Sequence, residues 1–195
     1  ANRIYQITTE YTTAQLFDLK FAQSADVMYL CHPDHEPMKL SRTGHTSWTL
    51  TEVDFSTNGP YLDANTTTTT LTPASAGTGT GVNITASAVT GINNNQGWLT
   101  TDVGRIIKFN SGEAIITART NSTVVVCTIT DAFTNTDATA SFQLGSFSDT
   151  TGFPSSVSFF EQRLVFAATN DQPQTIFFSK SGDYENMSAG TNDDD

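Results

Sequence analysis

The sequence predicts an all-β protein: a propeller-blade-like antiparallel sheet unit interrupted by a small SH3-like β-barrel. Three observations lead there. Threonine occurs 34 times and phenylalanine 13 times in 195 residues, a bias toward side chains that fit a pleated, half-buried surface. Lysine, leucine and glutamate are scarce, which removes the usual material of surface helices. Apolar runs are short, alternate with polar residues and end in Gly, Pro, Asn or Asp, the pattern of strands joined by tight turns.

Taken in order, Thr13 to Ala22 sets Leu16, Asp18 and Lys20 against Phe17, Leu19 and Phe21, which favours strand over a single helical turn. Asp26-Val27-Met28-Tyr29-Leu30-Cys31 is a buried strand running into a turn at His32-Pro33-Asp34. Pro37 to Arg42 restarts the extended pattern, although Pro37 reads as part of the turn when the two hairpins of the chain are compared. Thr43-Gly44 breaks it, and Trp48 to Val53 resumes the extended pattern. Residues 65–81 change character, with the run Thr66 to Thr70 and the stretch Gly77-Thr78-Gly79-Thr80-Gly81. That composition predicts a linker.

Residues 82–146 form a separate β-patterned block. Val82, Ile84 and Ala86 alternate with polar residues, Asn110-Ser111-Gly112-Glu113 is a hairpin turn, and Thr123 to Ile129 is the strongest strand signal in the chain. Five or six short strands at this spacing predict a small barrel or SH3-like roll. Residues 147–195 return to the first pattern, with strands at Ser156 to Phe160, Arg163 to Ala168 and Thr175 to Ser179. The expected organisation is a discontinuous sheet domain (1–64 and 147–195), a linker (65–81) and an inserted barrel (82–146).

The two outer segments echo each other. Each reads strand, proline-bearing turn, strand, and then Ser41-Arg42-Thr43-Gly44 or Ser179-Lys180-Ser181-Gly182. A repeated sheet unit of this kind is a propeller blade, which hides its apolar faces only against neighbouring blades. Arg42 and Lys180 occupy equivalent places in the echo and are the candidates for contact with a neighbour's carboxylates. A solvated turn charge is the alternative for both.

The net charge is −11 and the isoelectric point about 4.4. This excludes a basic nucleic-acid-binding surface and docking on anionic membranes. No apolar run is long enough to span a bilayer as a helix, and no signal peptide is visible. The chain starts without Met and stops in Asn192-Asp193-Asp194-Asp195, so it reads as a piece of something longer. Cys31 and Cys127 each sit in apolar strand patterns, which predicts buried free thiols and no disulfide framework.

His32-Pro33-Asp34-His35-Glu36 is the most chemically tempting stretch. His32, Asp34 and His35 could hold Zn²⁺ or another transition metal. A hairpin turn gathers polar residues for its own reasons, and His45 is the only other histidine, so no metal is assigned. Asn192 with Asp193 to Asp195 could ligate Ca²⁺, though a chain terminus explains the same run. No Gly-x-Ser-x-Gly elbow occurs and no carboxylate pair stands out. The sequence therefore nominates no catalytic residue and no cofactor. The sequons at Asn65, Asn83, Asn121 and Asn186 arise readily in a Thr-rich chain. Trp48, Trp98 and the phenylalanines are expected in the core rather than on a sugar-stacking platform.

Gln23-Ser24-Ala25-Asp26-Val27-Met28-Tyr29-Leu30-Cys31-His32-Pro33, followed by Pro37, Leu40, Arg42 and Trp48, resembles the opening of a family of bacteriophage virion proteins. So do Gly152-Phe153-Pro154, Phe159, Gln162 to Ala167, Pro173 to Ile176 and Ser179 to Tyr184. This is the tail tubular protein B, or nozzle, family of short-tailed phages. Trp98 with Asp102-Val103-Gly104-Arg105-Ile106-Ile107 is similar to the small barrel inserted in such proteins and likened to the FCCH domain of ubiquitin-activating enzymes. The resemblance implies propeller-like β-domains ringing a DNA channel, an FCCH-like inserted barrel, and no catalytic residues. It implies other tail proteins and further copies of the chain as partners, and a place in the virion tail after synthesis in the bacterial cytoplasm. DNA would pass without being specifically bound, since an acidic lumen repels phosphate. The alternative is a secreted or surface β-protein acting as an adhesin or carbohydrate-binding module.

Overall fold

The computed structural model describes residues 5–188. The chain is all-β, with 44% of the described residues in strands and 3% helical. It divides into two compact units: unit 1 is Ala1–Asp54 with Thr151–Asp195, and unit 2 is Phe55–Thr150.

Unit 1 begins with a single 3-10 turn at Gln15–Phe17, where strand was expected. The strand starts only at Lys20, because the Gln15 carbonyl accepts the Asp18 amide at 3.1 Å and closes a local turn first. Four strands then form an antiparallel meander: β1 (Lys20–Ser24), β2 (Val27–His32), β3 (His35–Gly44) and β4 (Ser47–Glu52). The β2–β3 connection is the two-residue turn Pro33-Asp34. Pro37 lies buried inside β3, in the extended stretch expected to start there and not in the turn where the comparison of hairpins put it. The pairing slips between Leu30↔Met38 and His32↔His35, so one residue of β2 faces two of β3. Such a bulge is where a strand tolerates a residue without an N–H.

Unit 2 is a six-stranded sheet: β5 (Leu71–Pro73), β6 (Gly79–Ala86), β7 (Ile106–Phe109), β8 (Gly112–Arg119), β9 (Val124–Asp131) and β10 (Phe142–Leu144). Its order is β10-β7-β8-β9-β6-β5. The sheet curls strongly into a half-barrel. Leu71 on one edge strand bridges Thr139, just before the other edge strand. Inward residues of every strand fill one core around Trp98, with Leu71, Ile84, Ile107, Ile116, Val125 and Cys127 fully buried. Asn110 and Ser111, with φ of 46° and 59°, make the left-handed two-residue turn that suits the twist of a hairpin.

Residues 65–81 are not a linker. Leu71 and Thr69 are buried, and the segment supplies β5 and the start of β6. The Asn65 amide donates to the carbonyls of Thr67, Thr69 and Ala140 at 3.1, 3.1 and 2.9 Å, and the Thr67 hydroxyl accepts the Thr69 amide at 3.2 Å. The unit boundaries fall at Asp54/Phe55 and Thr150/Thr151, not at 64/65 and 146/147. The incoming and outgoing chains pair inside unit 2, through Leu62 N–H to Leu144 O and Ser146 N–H to Pro60 O at 2.8 and 2.9 Å.

Unit 1 resumes with a three-stranded antiparallel sheet, β11 (Ser156–Phe160), β12 (Arg163–Ala167) and β13 (Ile176–Phe178). Leu164 and Phe166 are its fully buried residues. Tyr29 of β2 packs edge-on to Phe159 of β11, with ring centroids 6.0 Å apart. The echo between β2–β3 and β12–β13 is looser than the sequence implied. The first hairpin turns in two residues, whereas the second uses the loop 168–175 that carries Pro173.

Candidate functional site

The β2–β3 hairpin tip carries the polar stretch singled out above. His32 ends β2 and His35 begins β3, and the two are cross-strand partners. Their ring centroids lie 5.2 Å apart. The Asp34 amide donates to His32 Nδ1 at 3.1 Å, while the Asp34 carboxylate sits 4.0 Å from the same nitrogen and is mostly exposed. Glu10 Oε1 lies 3.5 Å from His35 Nδ1. Tyr11 completes the cluster, its ring 5.3 Å from His35 and 6.2 Å from His32. Burial, with Glu10 alongside, pushes the Tyr11 phenol up to about 12. Glu10 and Tyr11 had no signal in the sequence, being some twenty residues from the histidines in a stretch without periodicity. Among the described residues, no group of three or more His, Cys, Asp or Glu is placed to hold a metal ion. The Asn192 to Asp195 run lies outside the described residues.

The two basic candidates are not equivalent. Arg42 lies within β3, and its guanidinium meets Asp26 Oδ1 at 3.0 Å. The same group sits 5.7 Å above the Trp48 ring, and the Trp48 indole donates to the His45 carbonyl at 3.2 Å. Its carboxylate partner is thus in its own sheet. Trp48 is half-buried under Arg42 rather than in a core. Lys180 lies past the end of β13 in a tight turn, where its residue bridges Asp183. It has no ion-pair partner among the described residues.

Unit 2 holds a closed polar network at the motif Asp102-Val103-Gly104-Arg105. Asp102 accepts from Leu99 N–H and Asn93 Nδ2 at 2.7 and 2.6 Å through one oxygen, and from Thr150 Oγ1 at 2.8 Å through the other. Arg105 donates to Asp102, to Asn93 Oδ1 and to the Gly145 carbonyl at 3.0, 2.8 and 2.8 Å. Gly104, at φ 92°, permits the reversal between them. This network fixes the loop leading into β7 and presents no open reactive group.

Cys31 and Cys127 are buried free thiols. Burial pushes both up to about 12, which keeps them protonated and unreactive.

The phenylalanines divide between the units. Phe109, Phe133 and Phe142 are core residues of unit 2. In unit 1, Phe17 is 89% exposed and Phe21 63%, and Leu16, Phe160, Ile176 and Phe178 are also exposed. Unit 2 exposes only Val103 among the large hydrophobic residues described. The expectation that phenylalanine means core therefore fails for unit 1. Composition reports how much apolar area exists, not which faces find a cover.

No protein-family model matches the chain, and no curated protein matches it in sequence.

Proposed function

We propose that the chain is a structural wall element of a phage or prophage tail. It would form part of a DNA-conducting tube or nozzle by packing against other copies and other tail proteins, without catalysis. One observation carries this reading: unit 1 leaves Leu16, Phe17, Phe21, Phe160, Ile176 and Phe178 in solvent. Exposed aromatic and branched side chains on open-edged sheets are an association surface. The resemblance of the β2–β3 and β11–β13 segments to nozzle proteins gives that surface its context. The net charge of −11 suits a duct that must not retain DNA, because basic walls would add salt-dependent affinity.

Sedimentation and electron microscopy of the chain, alone and with candidate tail proteins, test the proposal. Ring-shaped or stacked assemblies that a Phe17→Ser/Phe21→Thr double substitution dissolves are the expected result. A monomer at all concentrations that binds a defined glycan through these residues would instead identify an adhesin or carbohydrate-binding module.

A further inference from the structure

At the hairpin tip three buried polar atoms have no hydrogen-bond partner among the described residues: Tyr11 Oη, His32 Nε2 and His35 Nε2. They belong to three rings in mutual contact, at centroid distances of 5.2, 5.3 and 6.2 Å. His32 is 2% exposed. An unpaired polar atom there is costly, and three on rings packed against one another point to a common occupant.

The partners of the other ring nitrogens settle the occupant's chemistry. The Asp34 N–H donates to His32 Nδ1, so that nitrogen carries a lone pair and the proton of the neutral ring sits on Nε2. The Glu10 carboxylate lies 3.5 Å from His35 Nδ1, which favours the ring proton on that nitrogen and leaves a lone pair at Nε2. The tip therefore presents one donor, one acceptor and a phenol hydroxyl that does either. A metal ion would need lone pairs on both Nε2 atoms, and the Asp34 amide denies it one of them. A molecule that both accepts and donates fits.

We propose that one buried water binds between Tyr11, His32 and His35. It accepts from His32 Nε2–H, donates to His35 Nε2 and takes Tyr11 Oη as its third partner, the usual valence of an internal water. It thereby fastens the segment carrying Glu10 and Tyr11 onto the β2–β3 hairpin.

Long-range nitrogen–proton NMR at pH 7.5 tests this directly. The expected result is a His32 Nε2–H tautomer, a His35 Nδ1–H tautomer, and a cross-peak from the His32 Nε2 proton to water. In Tyr11→Phe, which keeps the ring but loses one partner, exchange of that proton with solvent should speed up by about tenfold, the effect of one lost hydrogen bond. A His32 Nδ1–H tautomer would overturn the proposal. So would an equimolar addition of Zn²⁺ or Ni²⁺ that shifts both Nε2 resonances and raises the melting temperature, because the tip would then be a metal centre. A high-resolution crystal structure in which the rings bond one another directly would overturn it as well.

Discussion

The Arg105 guanidinium lies 3.0 Å from the Asp102 carboxylate, with the two side chains 1% and 0% exposed. A buried pair of this kind is a poor source of net stability but is costly to break, since the survivor is left as an uncompensated charge. Arg105→Met should therefore cost about 3–5 kcal/mol. Urea denaturation of the purified chain measures it. A loss below about 1 kcal/mol would show that the pair is better solvated than its burial implies.

Two backbone positions should respond in opposite directions. A Cβ on Gly112 would come within 2.7 Å of the Ala132 carbonyl carbon and oxygen and the Asp131 carbonyl oxygen. Backbone cannot move aside like a flexible side chain, so Gly112→Ala should destabilise by about 1–3 kcal/mol. Ala25, exposed in the β1–β2 turn, is held at φ 51°. That conformation strains any residue with a Cβ. Ala25→Gly should be neutral or stabilise by up to about 1 kcal/mol, relief of strain being offset by the greater freedom of the unfolded glycine. Thermal unfolding of both variants reads the two signs.

The cysteines predict an alkaline limit to stability. Both thiols are raised in the folded state from an ordinary 9.0 to about 12. A raised acid binds its proton more tightly folded than unfolded, so its stabilising contribution is complete below pH 9 and is lost as pH rises toward 12. Each thiol should lower stability by about 1.4 kcal/mol per pH unit within that window. Cys127→Ala should be less stable at pH 8 because of the cavity, yet show a shallower decline between pH 9 and 11. Denaturant midpoints across that range check the slope. A thiol reagent at pH 8 should label neither cysteine until the chain unfolds, and rapid native labelling would contradict their burial.

Strand identity was legible wherever side chains alternate about a buried face. Val124 to Ile129 is the clearest case, because each inward residue there packs on the Trp98 core. The Thr66 to Thr70 run misled for a physical reason: its order comes from Asn65 and its own threonine hydroxyls bonding to backbone, and hydropathy does not register such bonds. Pro37 read both as strand start and as turn residue, and a bulge accommodates it inside the strand. At the hairpin tip His32, Asp34 and His35 were visible from spacing alone. Glu10 and Tyr11 reach them only through the folded chain. The exposed phenylalanines of unit 1 could not be told from core, since exposure depends on what packs above a strand.

Arg42 separates an internal role from an interfacial one. It pairs with Asp26 at 3.0 Å and lies over Trp48, but the guanidinium is 34% exposed and the carboxylate 65%. An exposed pair contributes about 0.2–1 kcal/mol, and a stacked cation about 0.5–1 kcal/mol more. Arg42→Ala should thus cost no more than about 2 kcal/mol, the sum of those two contributions. Arg42→Lys should keep the charge but lose the planar stack, recovering about half of that. If Arg42 acts only within its sheet, both variants will assemble like the parent once refolded stability is matched by temperature. If it also meets a neighbouring copy, assembly measured by sedimentation will fall in Arg42→Ala by more than the stability loss explains. Asp26→Asn, which removes the internal carboxylate while leaving Arg42 in place, should then strengthen association by freeing the guanidinium for the neighbour.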